Sequence, residues 1–172
     1  MSAIVRRLVF DTAAGEIRDG QRRYVLIRPD VLMGALHELD GTTRQRVLEA
    51  LAASSERNGG RSVHAYARTD RGTALLDTMC ETAAGLGWGK WHMTLGPDRL
   101  DLTVHNSPFA QGHGKAARPV CAPIAGMLGS VAATLFEGPV LVEEIGCAAH
   151  AASPVCRFVA RARSAVSSET QP

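Results

Sequence analysis

The segment from Pro119 to Phe158 constrains the fold more than any other part of the chain. Val120, Ile124, Met127, Leu128, Val131 and Leu135 recur at helical spacing. Gly138-Pro139 ends that helix, and VLVEEIG and CRFVARA follow as two apolar strands joined by the small-residue stretch AAHAASP. A helix and two strands that are this apolar have to be buried against a second layer. Three of the four cysteines lie on these elements: Cys121 at the helix start, Cys147 and Cys156 at the facing ends of the strands. Gly126 and Gly129 leave the helix surface open to close approach.

The rest of the chain supplies the second layer. IVRRLVFD and QRRYVLIR alternate around the turn signal Asp19-Gly20 and predict an N-terminal hairpin. Val31 to Leu39 has helical spacing. A second helix follows Thr42-Thr43, buries Val47, Leu48, Leu51 and Ala52, and is closed by Asn58-Gly59-Gly60. Ser62 to Ala84 predicts a third helix, with a bend at Gly72. KWHMTL and DRLDLTVHN flank Gly96-Pro97-Asp98 as a hairpin, and Ser107 to Arg118 has no periodicity and reads as a loop. The expectation is α+β: one antiparallel sheet of about five or six strands with about four helices on one side. At 172 residues the chain suits one domain, taken as 1–163, with the polar stretch 164–172 as a disordered tail.

Several function classes are disfavoured. No apolar run is long enough for a membrane span, and MSAIVRRLVFD lacks the layout of a secretory signal, so the expected location is cytoplasmic. Nineteen basic and seventeen acidic residues give +2 without a basic block, which argues against nucleic acid and allows self-association. The histidines form no H-E-x-x-H pattern, Ser107 is not in a nucleophile elbow, and Gly85 to Gly89 lacks dinucleotide spacing. The balance leans away from an enzyme.

Two constellations remain. Cys121, Cys147 and Cys156 offer three soft metal ligands, and Glu144, Cys80, His150 and His113 are all candidates for a fourth. Paired C-x-x-C spacing is absent, and four buried cysteines acting as small hydrophobes is the alternative. Adjacent Glu143 and Glu144 face opposite ways on a strand, which disfavours a shared acid/base pair. Tyr66, Met79, Trp88, Trp91, Met93 and Phe109 gather where the third helix, the following strand and the loop meet. They form either plain core or the lining of an apolar pocket. Trp91 or His92 can hydrogen-bond a ligand's polar edge, but alternation turns only one of them inward.

NSPFA (Asn106 to Ala110), PVC before a glycine-containing helix, GPVLVEEIGC and PVCRF together resemble the 4-vinyl reductase domain family of hydrocarbon-binding proteins, from about Gly87 to Val159. Relatives include aromatic-compound-sensing domains of sigma-54-dependent activators, a bacteriochlorophyll-biosynthesis component and, more distantly, small subunits of Golgi transport particles. In the phenol-type sensors three cysteines and a glutamate hold zinc. The resemblance implies that Cys121, Glu144, Cys147 and Cys156 do so here, as a structural site with no open position. It also implies a homodimer that binds a small hydrophobic or aromatic molecule in an internal pocket, as a sensor or carrier, with Tyr66, Met79, Trp88, Trp91, His92 and Phe109 as ligand-binding candidates. Accessory or substrate-delivery work in tetrapyrrole metabolism, and a scaffold subunit without ligand, are the alternatives.

Overall fold

A computed structural model describes residues 2–150 and 153–163. The expected tail at 164–172 lies outside the described residues. The fold is α+β. Its main sheet holds β4 (Lys90–Leu95), β5 (Arg99–His105), β6 (Val140–Gly146) and β7 (Val155–Ala162) in the order β4-β5-β7-β6, all antiparallel. In β5 the residues alternate, so Leu100, Leu102 and Val104 are buried while Arg99, Asp101 and Thr103 lie on the other side. The buried face is covered by α7 (Ala122–Leu135), which contributes Ile124, Leu128, Val131 and Ala132, and by α5 (Thr73–Gly85), which contributes Leu75, Leu76 and Met79. Helices therefore cover one face, as the alternation predicts.

The N-terminal hairpin is a separate sheet. Ile4 to Arg7, expected in a strand, belong to α1 (Ala3–Arg7), which places Ile4, 1% exposed, against α5. Burial of one isoleucine outweighs the strand preference of IVRRLVF. Then β1 (Val9–Asp11), β2 (Glu16–Asp19) and β3 (Arg22–Tyr24) form a three-stranded antiparallel sheet. Between β1 and β2 the Asp11 carboxylate accepts from the amides of Ala13 and Ala14 at 3.0 and 2.9 Å, making the turn that splits the expected strand. Val25, Leu26 and Ile27, expected to continue the second strand, are outside it and exposed. The described residues thus hold seven strands in two sheets, not five or six in one.

The helices differ from expectation in two places. After α2 (Pro29–Gly34) and a 3₁₀ turn at Ala35–Glu38, α3 (Gly41–Ser54) starts on Asp40, whose carboxylate accepts from Thr42 and Thr43 amides. It does not stop at Asn58-Gly59-Gly60. The chain runs through a π turn, Ser55–Gly59, into α4 (Gly60–Tyr66), and breaks only before α5, where Gly72 has φ 55°. The glycine pair serves close approach: Met127 of α7 lies against Gly59, and Ser130 donates to the Glu56 carbonyl at 2.7 Å. Second, the expected loop after Ser107 contains α6 (Pro108–His113), capped by Ser107 and opened by proline at its first position.

Contact between α3 and α7 depends on Gly126, where an added Cβ would sit 2.1 Å from the Ala52 carbonyl oxygen. Gly126→Ala should destabilise the fold by about 2–3 kcal/mol in urea unfolding, because backbone on both sides has to move apart. Gly138→Ala, with nothing nearer than 3.7 Å, should stay within about 0.5 kcal/mol of the parent. Equal effects would contradict this account of the helix contact.

Candidate metal centre and apolar cleft

The site is assembled by the ends of three elements. Cys121 precedes α7, Glu144 is on β6, Cys147 follows β6 and Cys156 is on β7 opposite Val104 of β5. In a regular strand Glu144 and the residue three positions on would face opposite sides. The ladder between β6 and β7 slips between Glu144 and Gly146, so Ile145 bulges outward and is 53% exposed. That extra residue turns Glu144 and Cys147 to the same side.

The ligand atoms of Cys121, Glu144, Cys147 and Cys156 lie within 4.8 Å of one another. Cys121 Sγ is 3.9 Å from Cys147 Sγ and 3.6 Å from Cys156 Sγ. A disulfide is excluded at that spacing. Sulfurs at about 2.3 Å from a tetrahedral ion are about 3.8 Å apart, which matches. All three cysteines are 0% exposed. Cys80, His150 and His113 are not in the cluster: Cys80 is half-buried on α5, His150 is exposed beside the Ala116 carbonyl, and His113 is at the end of α6.

Electrostatics favour a cation there. Glu144 Oε2 accepts from the Cys121 backbone N–H at 2.9 Å, while buried Oε1 has no hydrogen-bond partner. Burial, followed by the neighbouring Cys147 sulfur, pushes the Glu144 carboxyl up to about 8. Hydrogen bonds from Cys121 and then Cys147 lower the Cys156 thiol, helped by the Ala148 N–H at 3.3 Å. The same pairing, with Cys147 first and Cys156 second, raises the Cys121 thiol. Without a cation, one thiolate forms at the expense of its neighbours, and none of the ion pairs among the described residues reaches the group. A divalent ion removes that conflict, and an orphaned carboxylate oxygen among three sulfurs is the donor set it needs. These residues can hold a metal.

Reasoning about nucleophiles alone misses Ser107. Its hydroxyl lies 3.2 Å from Cys121 Sγ and caps α6. The cue in the sequence is Ser-Pro, a cap followed by a first-turn proline.

A cleft of about 900 Å³ opens between α5, α6, α7 and the N-terminal sheet. Tyr66, Met79, Trp88, Trp91 and Phe109 line it, and Phe109 meets Trp88 edge to face at 5.2 Å. His92 does not: it is on the outer, exposed side of β4, because alternation gives the inner side to Trp91. Nor is the Trp91 N–H free, since it donates to the Trp88 carbonyl at 3.0 Å. The polar edge comes instead from Tyr66, whose hydroxyl oxygen accepts from Arg7 at 3.0 Å and keeps its own proton available. Arg7 is fixed in turn by Asp19 at 3.1 and 3.2 Å. Phe10, Leu26 and Ile27 form the outer wall, a role that a reading of the N-terminus as part of the main sheet misses.

Residues 100–162 match the family model of the 4-vinyl reductase domain, a span that includes all four clustered residues. The resemblance carried by the NSPFA, GPVLVEEIGC and PVCRF motifs is thereby borne out. The crystal structure of the phenol-responsive sensory domain of the transcription activator PoxR with phenol is similar at a TM-score of 0.76 and 20% identity, covering 91% of this chain and 85% of that one. A vinyl-4-reductase family protein from Methanocaldococcus jannaschii is similar at a TM-score of 0.54 and 14% identity, covering 78% and 76%. No curated protein sequence matches the chain. Among the described residues no helix is long and apolar enough to cross a membrane.

If the four clustered groups bind one metal, Cys147→Ser should release it. The loss should be about 3 kcal/mol, lowering the thermal midpoint by about 6–12 °C for a chain of this size. Metal stoichiometry and melting of the two proteins check this, and a variant that melts and retains metal like the parent contradicts it.

Proposed function

We propose that this domain, taken as residues 1–163, binds a small hydrophobic or aromatic molecule in the cleft, as a sensor or carrier, with structural zinc holding Cys121, Glu144, Cys147 and Cys156. The observation that carries the reading is the cleft itself: aromatic and thioether side chains on one side, a single oriented phenol hydroxyl at Tyr66 as polar contact. The similarity to a domain crystallised with phenol supports an aromatic ligand. Tetrahedral geometry and three thiolates suit zinc over harder cations. With four protein ligands the ion offers no position for water, so its contribution is to tie α7 to β6 and β7.

Flat apolar ligands with one hydrogen-bonding edge fit best. The ring stacks among Trp88, Trp91 and Phe109, and the Tyr66 hydroxyl donates to the edge. Phenol and methylphenols are the first probes: they should quench tryptophan emission saturably. Phe109→Ala should weaken binding about tenfold or more, and Tyr66→Phe about fivefold, the value of one neutral hydrogen bond. Unchanged emission with every aromatic probe, in protein that retains its metal and melts cooperatively, would defeat the ligand reading and leave the metal site standing.

We also propose a homodimer. Val9, Phe10, Val25, Leu26, Ile27 and Val31 are each more than half exposed and belong to one short N-terminal stretch. A second copy seated there buries them and covers the open side of the cleft. Sedimentation equilibrium should give twice the 18.3 kDa chain mass; a monomer at all concentrations contradicts the proposal.

A further inference from the structure

On another side of the molecule, α3 and the segment from His113 to Val120 enclose a second groove of about 830 Å³. It shares no lining residue with the apolar cleft. Its lining is basic: Arg44, Arg46, Lys115 and Arg118 against one carboxylate, Glu49, in a chain whose net charge is only +2. None of these four cations is in an ion pair among the described residues. Arg44 is held in place by two bonds, to the Leu36 carbonyl at 2.8 Å and the Leu39 carbonyl at 2.9 Å, which leaves other guanidinium N–H groups unused. Glu49 accepts from Gln45 at 2.9 Å.

The independent observation is His113. It is 5% exposed, lines the groove, and neither ring nitrogen has a hydrogen-bond partner. A buried imidazole without a partner is costly unless something else satisfies it. His37 stands beside it, ring centroids 4.4 Å apart, and its Nε2 donates to the His113 carbonyl at 2.9 Å. The opposite wall is anchored too: the Ala116 amide donates to the Ala149 carbonyl at 2.8 Å. The start of α3 takes no part, since Asp40 already occupies the Thr42 and Thr43 amides. Recognition therefore falls to side chains.

We propose that this groove binds the oxyanion of a small molecule, a carboxylate or a phosphate ester, with Arg44, Lys115 and Arg118 supplying charge and the His113 ring a hydrogen bond. The volume is that of a metabolite-sized ligand, well beyond an inorganic ion. Because Val120 leads directly into Cys121 and Ala116 is tied to the turn after Cys147, a ligand here rests against the segments that carry the metal ligands. The inference does not depend on what the apolar cleft binds.

The test is a titration of the full-length, isotope-labelled chain with sodium phosphate and, separately, sodium acetate at constant ionic strength set with chloride. The expected result is saturable movement of the Lys115 and Arg118 amides and the His37 and His113 ring signals, with a dissociation constant on the order of 1 mM for at least one anion. Saturation by phosphate alone identifies a phosphate ester, and saturation by acetate alone a carboxylate; both support the site. Lys115→Glu with Arg118→Glu should weaken binding tenfold or more while metal content is unchanged. Linear shifts with both anions, saturation mapped to other residues, or undiminished binding in the double variant would overturn it. If the double variant fails to fold, the location of the shifts in the unaltered chain decides alone.

Discussion

Four groups that prefer to be charged share one buried place, and the arrangement of the sheet and its helices depends on how that is resolved. Three thiols with a carboxyl in a volume closed to water repel one another when ionised, and cost hydrogen-bonding capacity when they are not. Glu144 Oε1 is left without a partner while Oε2 holds the first amide after the loop. A divalent ion turns the same set from a liability into a cross-link between the start of α7, the end of β6 and the start of β7. No hydrophobic contact could join those three ends so locally, because each is at the rim of the core where small residues predominate.

Short α6 connects this centre to the rest. Its cap, Ser107, touches Cys121; Pro108 and Phe109 line the apolar cleft; and His113 at its other end lines the basic groove. One helix of six residues, with its cap, therefore meets three surfaces. A rigid anchor at one end of such an element is a physical means of letting occupancy at one surface be felt at another. The N-terminal sheet, by contrast, is attached mainly through Ile4, the Arg7–Asp19 pair and Tyr66. It closes the cleft with little core of its own.

Much of this is legible in the sequence where period and burial agree. The strands KWHMTL, RLDLTVH, VLVEEIG and VCRFVARA and the helix from Ala122 carry strong patterns, and their ends are where expected. Legibility fails where a distant contact decides local structure. Gly59-Gly60 looks like a stop, yet the helix continues because Met127 and Ser130 need the space. Ile4 looks like strand, yet its burial against α5 makes a helical turn. The bulge at Ile145, which turns Glu144 and Cys147 to one side, has no local cue: one odd spacing is indistinguishable from a pair on opposite faces. Choosing Glu144 over Cys80, His150 and His113 rests on resemblance, and the backbone geometry that brings it in is a property of the β6–β7 ladder. Alternation says that only one of Trp91 and His92 faces inward without saying which, and packing against the helices gives that side to tryptophan.

The central claim is that one metal ion sits among Cys121, Glu144, Cys147 and Cys156. X-ray diffraction from crystals of protein prepared without chelator, measured on both sides of the zinc absorption edge, tests it most directly. The account predicts a single anomalous peak equidistant from the three sulfurs and within bonding distance of a Glu144 oxygen, present above the edge and lost below it. Ordered side chains in the same positions with no anomalous peak between them would contradict it, and would leave the cysteines as small buried core residues.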